Sequence, residues 1–310
     1  LLGISGTLND ITERKRREQH VSAEHATTRV LAESTTLSEA TPKILQAICE
    51  SLGWDVGELW NVDASVNVLR RVESWHRQSV DVREFEVVSE QIAFAPGIGL
   101  PGWVWENSEP TWITNVVEEA NFLRTSIAAQ VGLHAAFGFP ILSGDEGLGV
   151  MTFFSREIQQ PDPELLNMMA AIGSQLGQFI KRKQAEEELQ RQNQILQAEL
   201  NQAADYVRSL LPRPLRGTIT TEAQFVPSLQ LGGDAFDYYW LDADHLAVYL
   251  LDVAGHGVRS ALLSVSVLNV LRSQSLPNTN FYQPSAVLRG LNQVFQMNEN
   301  GEDYFTIWYG

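Results

Sequence analysis

Leu246-Ala247-Val248-Tyr249-Leu250-Leu251-Asp252-Val253-Ala254-Gly255-His256-Gly257 decides how the last third of this chain folds. The residues before Asp252 are almost all apolar or aromatic, so the run reads as a buried strand. It ends on a carboxylate, and Gly255 and Gly257 then turn the chain into a helix expected over roughly Val258 to Ser273. An acid at a buried strand end is costly unless it is paired or holds a metal. A second acidic stretch lies just upstream, Leu231-Gly232-Gly233-Asp234-Ala235-Phe236-Asp237-Tyr238-Tyr239-Trp240. Two glycines there bring the backbone close to whatever Asp234 holds, with Asp237 next in line. Hard oxygen donors without clustered Cys or His favour Mg²⁺ or Mn²⁺ over zinc.

Further upstream, Pro161 to Leu211 reads as one long helix, stopped by Pro212 and Pro214. Residues 183–203 lack Gly and Pro and are rich in good helix formers. With Leu189, Leu196, Ala203 and Leu210 at d, the a positions become Asn193, Leu200 and Val207. That heptad pattern predicts a coiled coil and a homodimer, its register set by Asn193.

Residues 21–160 read as one α+β domain. Helices are expected over His20–Glu33 and Thr36–Leu52. Strands are expected over Val56–Val62, Val66–Trp75, Val80–Val88, Thr111–Asn115, Ala135–Leu142 and Leu148–Ser155, the last two joined by a hairpin at Ser143–Gly147. Three glycines within Gly97–Val104 predict tight turns. Six of the eight tryptophans fall here: Trp54, Trp60, Trp75, Trp103, Trp105 and Trp112. They suit a small-molecule pocket, although core packing is the ordinary use of each. His76 and His134 are pocket or haem-ligand candidates on the same terms.

Leu1 to Thr7 reads as the tail of a strand, and Asp10 as the opening of a charged helix. The final run, Tyr304 to Gly310, reads as a buried strand. A chain cut at both ends is therefore expected. With 22 basic and 38 acidic residues the 310-residue chain carries a net charge of −16, which argues against nucleic-acid binding. No apolar run is long enough for a membrane span. The lone Cys49 excludes a disulfide framework and points to a reducing, cytoplasmic setting.

Three resemblances attach to these residues. Gly6-Thr7-Leu8-Asn9-Asp10-Ile11-Thr12-Glu13-Arg14-Lys15-Arg16 resembles the end of a PAS domain entering a signalling helix, which implies a boundary near residue 20. The stretches Gly97–Val116 and Ala136–Ser155 resemble the middle and the closing hairpin of a GAF domain. That implies an antiparallel sheet with flanking helices over residues 21–160, whose ligand the resemblance does not name. Cys49 lies on an early helix, away from where a covalent bilin would need it. Leu210-Leu211-Pro212, then Gly232-Gly233-Asp234 with Asp237, then Asp252 through Gly257, resemble the SpoIIE-type branch of the PPM metal-dependent serine/threonine phosphatases.

This last resemblance implies that residues 161–211 form a coiled-coil signalling helix. Residues 212–310 would then be the N-terminal part of an α-β-β-α sandwich phosphatase domain. It carries over Asp234 and Asp252 as metal ligands of a two-metal Mn²⁺ or Mg²⁺ site, the Val253 carbonyl as a further donor and Asp237 as a more distant candidate. His256 is a catalytic candidate, but the position that supplies a general acid elsewhere in the superfamily is Ala254 here. The family's further aspartates come from a C-terminal motif beyond Gly310, so this stretch alone is expected to be weakly active or inactive. The implied substrate is a phosphorylated anti-anti-sigma-type protein. A diguanylate cyclase is disfavoured because Ala235 stands where its motif needs an acid. A histidine kinase is disfavoured because residues 163–211 contain no histidine. A sensory dimer whose C-terminal module only binds a partner is the non-enzymatic alternative.

Overall fold

The computed structural model describes residues 2–226, 231–296 and 304–310, with backbone alone for 2–12. The chain divides into two units, Leu1–Glu188 and Leu189–Gly310. In the first unit, α1 (Leu2–Glu33) and α2 (Leu37–Leu52) precede β1 (Val56–Asp63) and β2 (Val68–His76). Then come α3 (Arg83–Gln91), β3 (Ala93–Phe94), α4 (Gly99–Asn107), β4 (Thr111–Ile113), α5 (Thr125–Gln130), β5 (Ala135–Ser143) and β6 (Glu146–Ser155). The strands form one antiparallel sheet in the order β3-β2-β1-β6-β5-β4.

Alternation along each strand sends successive side chains to opposite faces, and both faces are covered. Leu59, Phe137, Phe139, Met151 and Phe153 meet α1, α2 and the start of α6 (Pro163–Ser209). Val56, Trp60, Ala136, Val150 and Phe154 meet α3, α4 and α5. The tryptophans divide between the two cores, Trp54 in one and Trp60 in the other, so they do not line one pocket. Cys49 is buried against the first core, where loss of water pushes its thiol up.

Two expectations are corrected here. Residues from Leu2 to Thr7 are helical rather than the tail of a strand, and Leu1 lies outside the described residues. The valine-rich stretch Val80–Val88 contains the start of α3, because Phe85 and Ser89 are buried at helical spacing while Val87 is exposed. The expected tight turn is present at Gly97, with φ of 76°, and opens into α4. The core of the first unit continues past residue 160. Leu165, Met169, Ile172, Leu176, Phe179 and Ile180 of α6 belong to its core.

Gly173 and Gly177 let α6 lie flat on β5. A Cβ on Gly177 would stand 2.0 Å from the Leu142 carbonyl oxygen, and one on Gly173 2.1 Å from that of Pro140.

In the second unit β7 (Ala235–Trp240), β8 (Leu246–Val253) and β9 (Phe305–Tyr309) form a three-stranded antiparallel sheet in that order. α7 (Val258–Arg272) and α8 (Pro284–Val294) pack on one face, over Ala247, Tyr249, Leu251, Val253 and Tyr309. On the other face Leu250, Trp308 and Trp240 are exposed. β8 and β9 are therefore buried on one side only, not on both as their apolar runs suggest. Among the described residues no helix is long and apolar enough to cross a membrane.

Candidate functional site

The antiparallel register pairs Ala235 with Leu251. Continuing it by one residue sets Asp234 opposite Asp252, on the uncovered side of the sheet, and both acids are exposed. Like charges directly opposite each other on adjacent strands destabilise a sheet. The consequence is visible in Asp234, whose carboxyl is pushed up first by loss of water and then by the Asp252 charge and a hydrogen bond with it.

Gly233 makes this juxtaposition geometrically possible. A Cβ there would lie 2.7 Å from Val253 Cβ, 2.9 Å from the Val253 carbonyl oxygen and 3.0 Å from Ser260 Cβ. The bare backbone of Gly233 thus nests against the end of β8. Gly257 N–H donates to the Leu231 carbonyl at 3.1 Å, and Ser260 Oγ donates to the Ala254 carbonyl at 3.1 Å. Gly255 and Gly257, with φ of 86° and 87°, make the turn that ends β8 and starts α7. The two facing carboxylates are hard oxygen donors of the kind that suits Mg²⁺ or Mn²⁺. Among the described residues no group of three or more His, Cys, Asp and Glu side chains converges to hold a metal.

The structure does not bring Asp237 to this pair. Asp237 is 2% exposed on the helix-covered face and forms an ion pair with Arg272 of α7. Its Oδ2 also accepts from Tyr249 Oη at 3.3 Å, and its Oδ1 from its neighbour's backbone N–H at 2.8 Å. Strand alternation explains the difference, since residues three apart face opposite ways. Arg272 extends the connection by donating to the Leu210 carbonyl, just past the end of α6. His256 is exposed on the turn and makes no hydrogen bond among the described residues. In the other unit, His76 Nδ1 pairs with Glu86 at 3.0 Å and His134 Nδ1 with Asn115 at 3.2 Å, so both are held by protein partners.

The heptad stripe is partly used within the unit. Leu200, Ala204 and Val207 pack with Leu231 and Ala261, while Leu189 and Leu196 are exposed. The apolar residue just before Gly232 therefore rests on the last turns of α6. No sequence signal marked Arg272, because its partner lies 35 residues away.

Residues 34–181 match the GAF domain family, and residues 242–310 match the family of Stage II sporulation protein E (SpoIIE). The second match includes Asp252, Val253 and His256, whereas Asp234 and Asp237 precede it. Among curated relatives, phosphoserine phosphatase RsbP of Bacillus subtilis (strain 168) is 30% identical over 116 residues, 36% of this chain and 28% of that protein. Phosphoserine phosphatase RsbU of the same organism is 29% identical over 118 residues, 37% of this chain and 34% of that protein. The chain thus spans about a third or less of the length of these relatives. Among solved structures, the GAF domain of a Coxiella burnetii phosphoenolpyruvate-protein phosphotransferase is 18% identical at a TM-score of 0.46, covering 55% of this chain and 97% of that one. The A. aeolicus nlh2 GAF domain is 23% identical at a TM-score of 0.44, covering 53% and 97%.

Proposed function

We propose that this chain, in which a GAF domain precedes a SpoIIE-type segment, is the sensor-linked part of a metal-dependent protein phosphatase acting on phosphoserine or phosphothreonine. The observation that carries the reading is the facing pair Asp234 and Asp252 beside the Val253 carbonyl, held by the close approach of Gly233. These donors would hold Mn²⁺ or Mg²⁺. Such an ion supplies Lewis-acid stabilisation of phosphoryl oxygens and a more acidic bound water.

The protein's own part is positional. Gly233 and the β7–β8 register keep the two carboxylates together on the exposed side of the sheet, open to a phosphorylated chain. Asp237 and Arg272 brace the strand from the opposite face. Contact of Leu200, Ala204 and Val207 with Leu231 offers a route by which a change in the linker helix reaches Asp234. The substrate proposed is a phosphorylated anti-anti-sigma-type protein, the dimer is proposed to form through Leu189, Asn193 and Leu196, and the setting is cytoplasmic.

Calorimetric titration with Mn²⁺ tests this reading, alongside turnover of a phosphoserine peptide, on the chain and on Asp234→Asn and Asp252→Asn. Mn²⁺ binding that both substitutions abolish, with weak Mn²⁺-dependent turnover, is expected. Binding identical in all three proteins would overturn it. The second reading, a regulatory module without its own catalysis, draws on the lack of a third converging acid among the described residues. Mn²⁺ binding that is absent or does not depend on Asp252, together with no turnover, would favour it.

A further inference from the structure

The core between the sheet and helices α3, α4 and α5 contains full charges. Arg124, just before α5, is 1% exposed and Glu58, in β1, is 0% exposed. Nη1 of Arg124 donates to both Glu58 oxygens, at 2.9 and 2.8 Å, and to Ser89 Oγ. Glu58 also accepts from Thr152 Oγ1 at 3.4 Å, and that hydroxyl accepts from Trp60 Nε1 at 3.1 Å. Five rings surround the guanidinium carbon: Phe85 at 4.3 Å, Phe154 at 5.1 Å, Trp60 at 5.3 Å, Phe122 at 5.6 Å and Phe94 at 5.7 Å. Aromatic faces around a cation, closed by a buried carboxylate, are the chemistry by which proteins recognise small organic cations.

Arg124 fills this box imperfectly. Its Nε and Nη2 are buried without a hydrogen-bond partner. An Arg–carboxylate pair commonly uses two nitrogens in a fork; here one nitrogen takes both oxygens and the others face rings. Arg71, paired with Glu90 at 2.7 Å, adds a second positive charge close enough to act on Arg124. The carrier of Arg124 is a surface segment between β4 and β5. Residues 118–121 are exposed, as is Leu123 at 57%, while Phe122 and Arg124 are its inward anchors. Asn121 ties the segment to the loop before α4 through Gly99 N–H and the Gly97 carbonyl, both at 3.1 Å.

We propose that the box of Glu58, Trp60, Phe85, Phe94, Phe122 and Phe154 is a binding site for a small guanidinium or alkylammonium compound, filled in this structure by Arg124 as a built-in ligand. An external cation takes the place of Arg124 on Glu58, and the Arg124 N–H groups that lack partners in the box reach water instead. Arg124 then withdraws with its segment, so that binding inside the domain changes its surface. The inference stands on the first unit alone and does not depend on the phosphatase reading.

The test is amide hydrogen exchange across residues 117–131 of the full chain during titration with methylguanidinium chloride. Sodium chloride controls for charge without shape, and N-methylurea for shape without charge. A saturable, several-fold rise in exchange at these residues with methylguanidinium alone is expected. Arg124→Ala empties the box. Its Tm is expected to rise saturably with methylguanidinium but not with N-methylurea, and Arg124→Ala/Glu58→Gln is expected not to respond. Recovery of Arg124→Ala without any effect on the unsubstituted chain would make Arg124 a permanent structural partner and overturn the external ligand. No response in either protein would overturn the site. The exchange experiment needs no variant, so it decides the case even where Arg124→Ala does not fold.

Discussion

Gly177→Ala sets two physical effects against each other with opposite signs. In a helix interior, alanine is favoured over glycine by about 1 kcal/mol, so α6 considered alone would gain. In the folded first unit the new Cβ would lie 2.0 Å from the Leu142 carbonyl oxygen, 2.4 Å from its carbon and 3.1 Å from Ser143 N. All three are backbone atoms of β5, so no side chain can rotate aside. The helix must back away by roughly 1 Å or more to reach ordinary contact. Gaps of that size forfeit about a quarter to a half of each van der Waals well, and the neighbours affected are the buried Leu176, Phe179 and Ile180. Overpacking of this kind costs about 3 kcal/mol at the upper end of its usual range. After the propensity gain, a net loss of about 2 kcal/mol remains. For a unit of this size that lowers Tm by about 4–8 °C. Tryptophan fluorescence melting of the full chain reads it, because six of the eight tryptophans lie in the first unit. An unchanged or higher Tm would mean that α6 does not lie on β5 as described.

Gly233→Ala leaves both carboxylates intact but presses on Val253 and Ser260, and Mn²⁺ affinity is expected to fall by about 10–100-fold, as when a supporting contact of a metal site is lost; equal affinity by calorimetry would refute the cradle. Asp237→Asn should destabilise the second unit by about 2 kcal/mol, since it removes a charge-assisted hydrogen bond to Arg272, whose side chain is 33% exposed. Urea unfolding measures that loss, and because Asp237 faces away from the acidic pair, Mn²⁺ stoichiometry should stay the same; a changed stoichiometry would return Asp237 to the metal. Glu39 is held at about 2, below the ordinary 4.5, first by Lys43 and then by the Thr35 N–H and hydroxyl. A depressed carboxylate stabilises the fold above its unfolded value and stops doing so as pH falls through its folded one. Glu39→Gln should therefore flatten the loss of Tm between about pH 4.5 and 2, and superimposable Tm profiles would count against the contact.

Much of the architecture was readable because it is local. α2, β1, β2, β5 and β6 follow the period of their apolar residues, and the tight turn between β5 and β6 follows its glycines. The places of Asp234 beside paired glycines and of Asp252 near the end of a strand were readable for the same reason. α3 was misread because β-branched valines favour strands, and burial of Phe85 and Ser89 overrides that preference. The two-residue β3 carries too few residues for any period.

The sequence by itself determined the order of mixed helix-and-strand segment, long helix and acidic strand segment, since each rests on neighbours a few residues apart. Tertiary structure alone decided which charges meet. Arg124 finds Glu58 across 66 residues and Arg272 finds Asp237 across 35. Tertiary structure also decided that Gly173 and Gly177 are helix-to-strand contacts and that Asp237 lies on the face that α7 covers. A local pattern states how a segment alternates; the partner on the buried side is set only when the sheet and helices close over it, because burial makes an unpaired charge or a misplaced methyl costly.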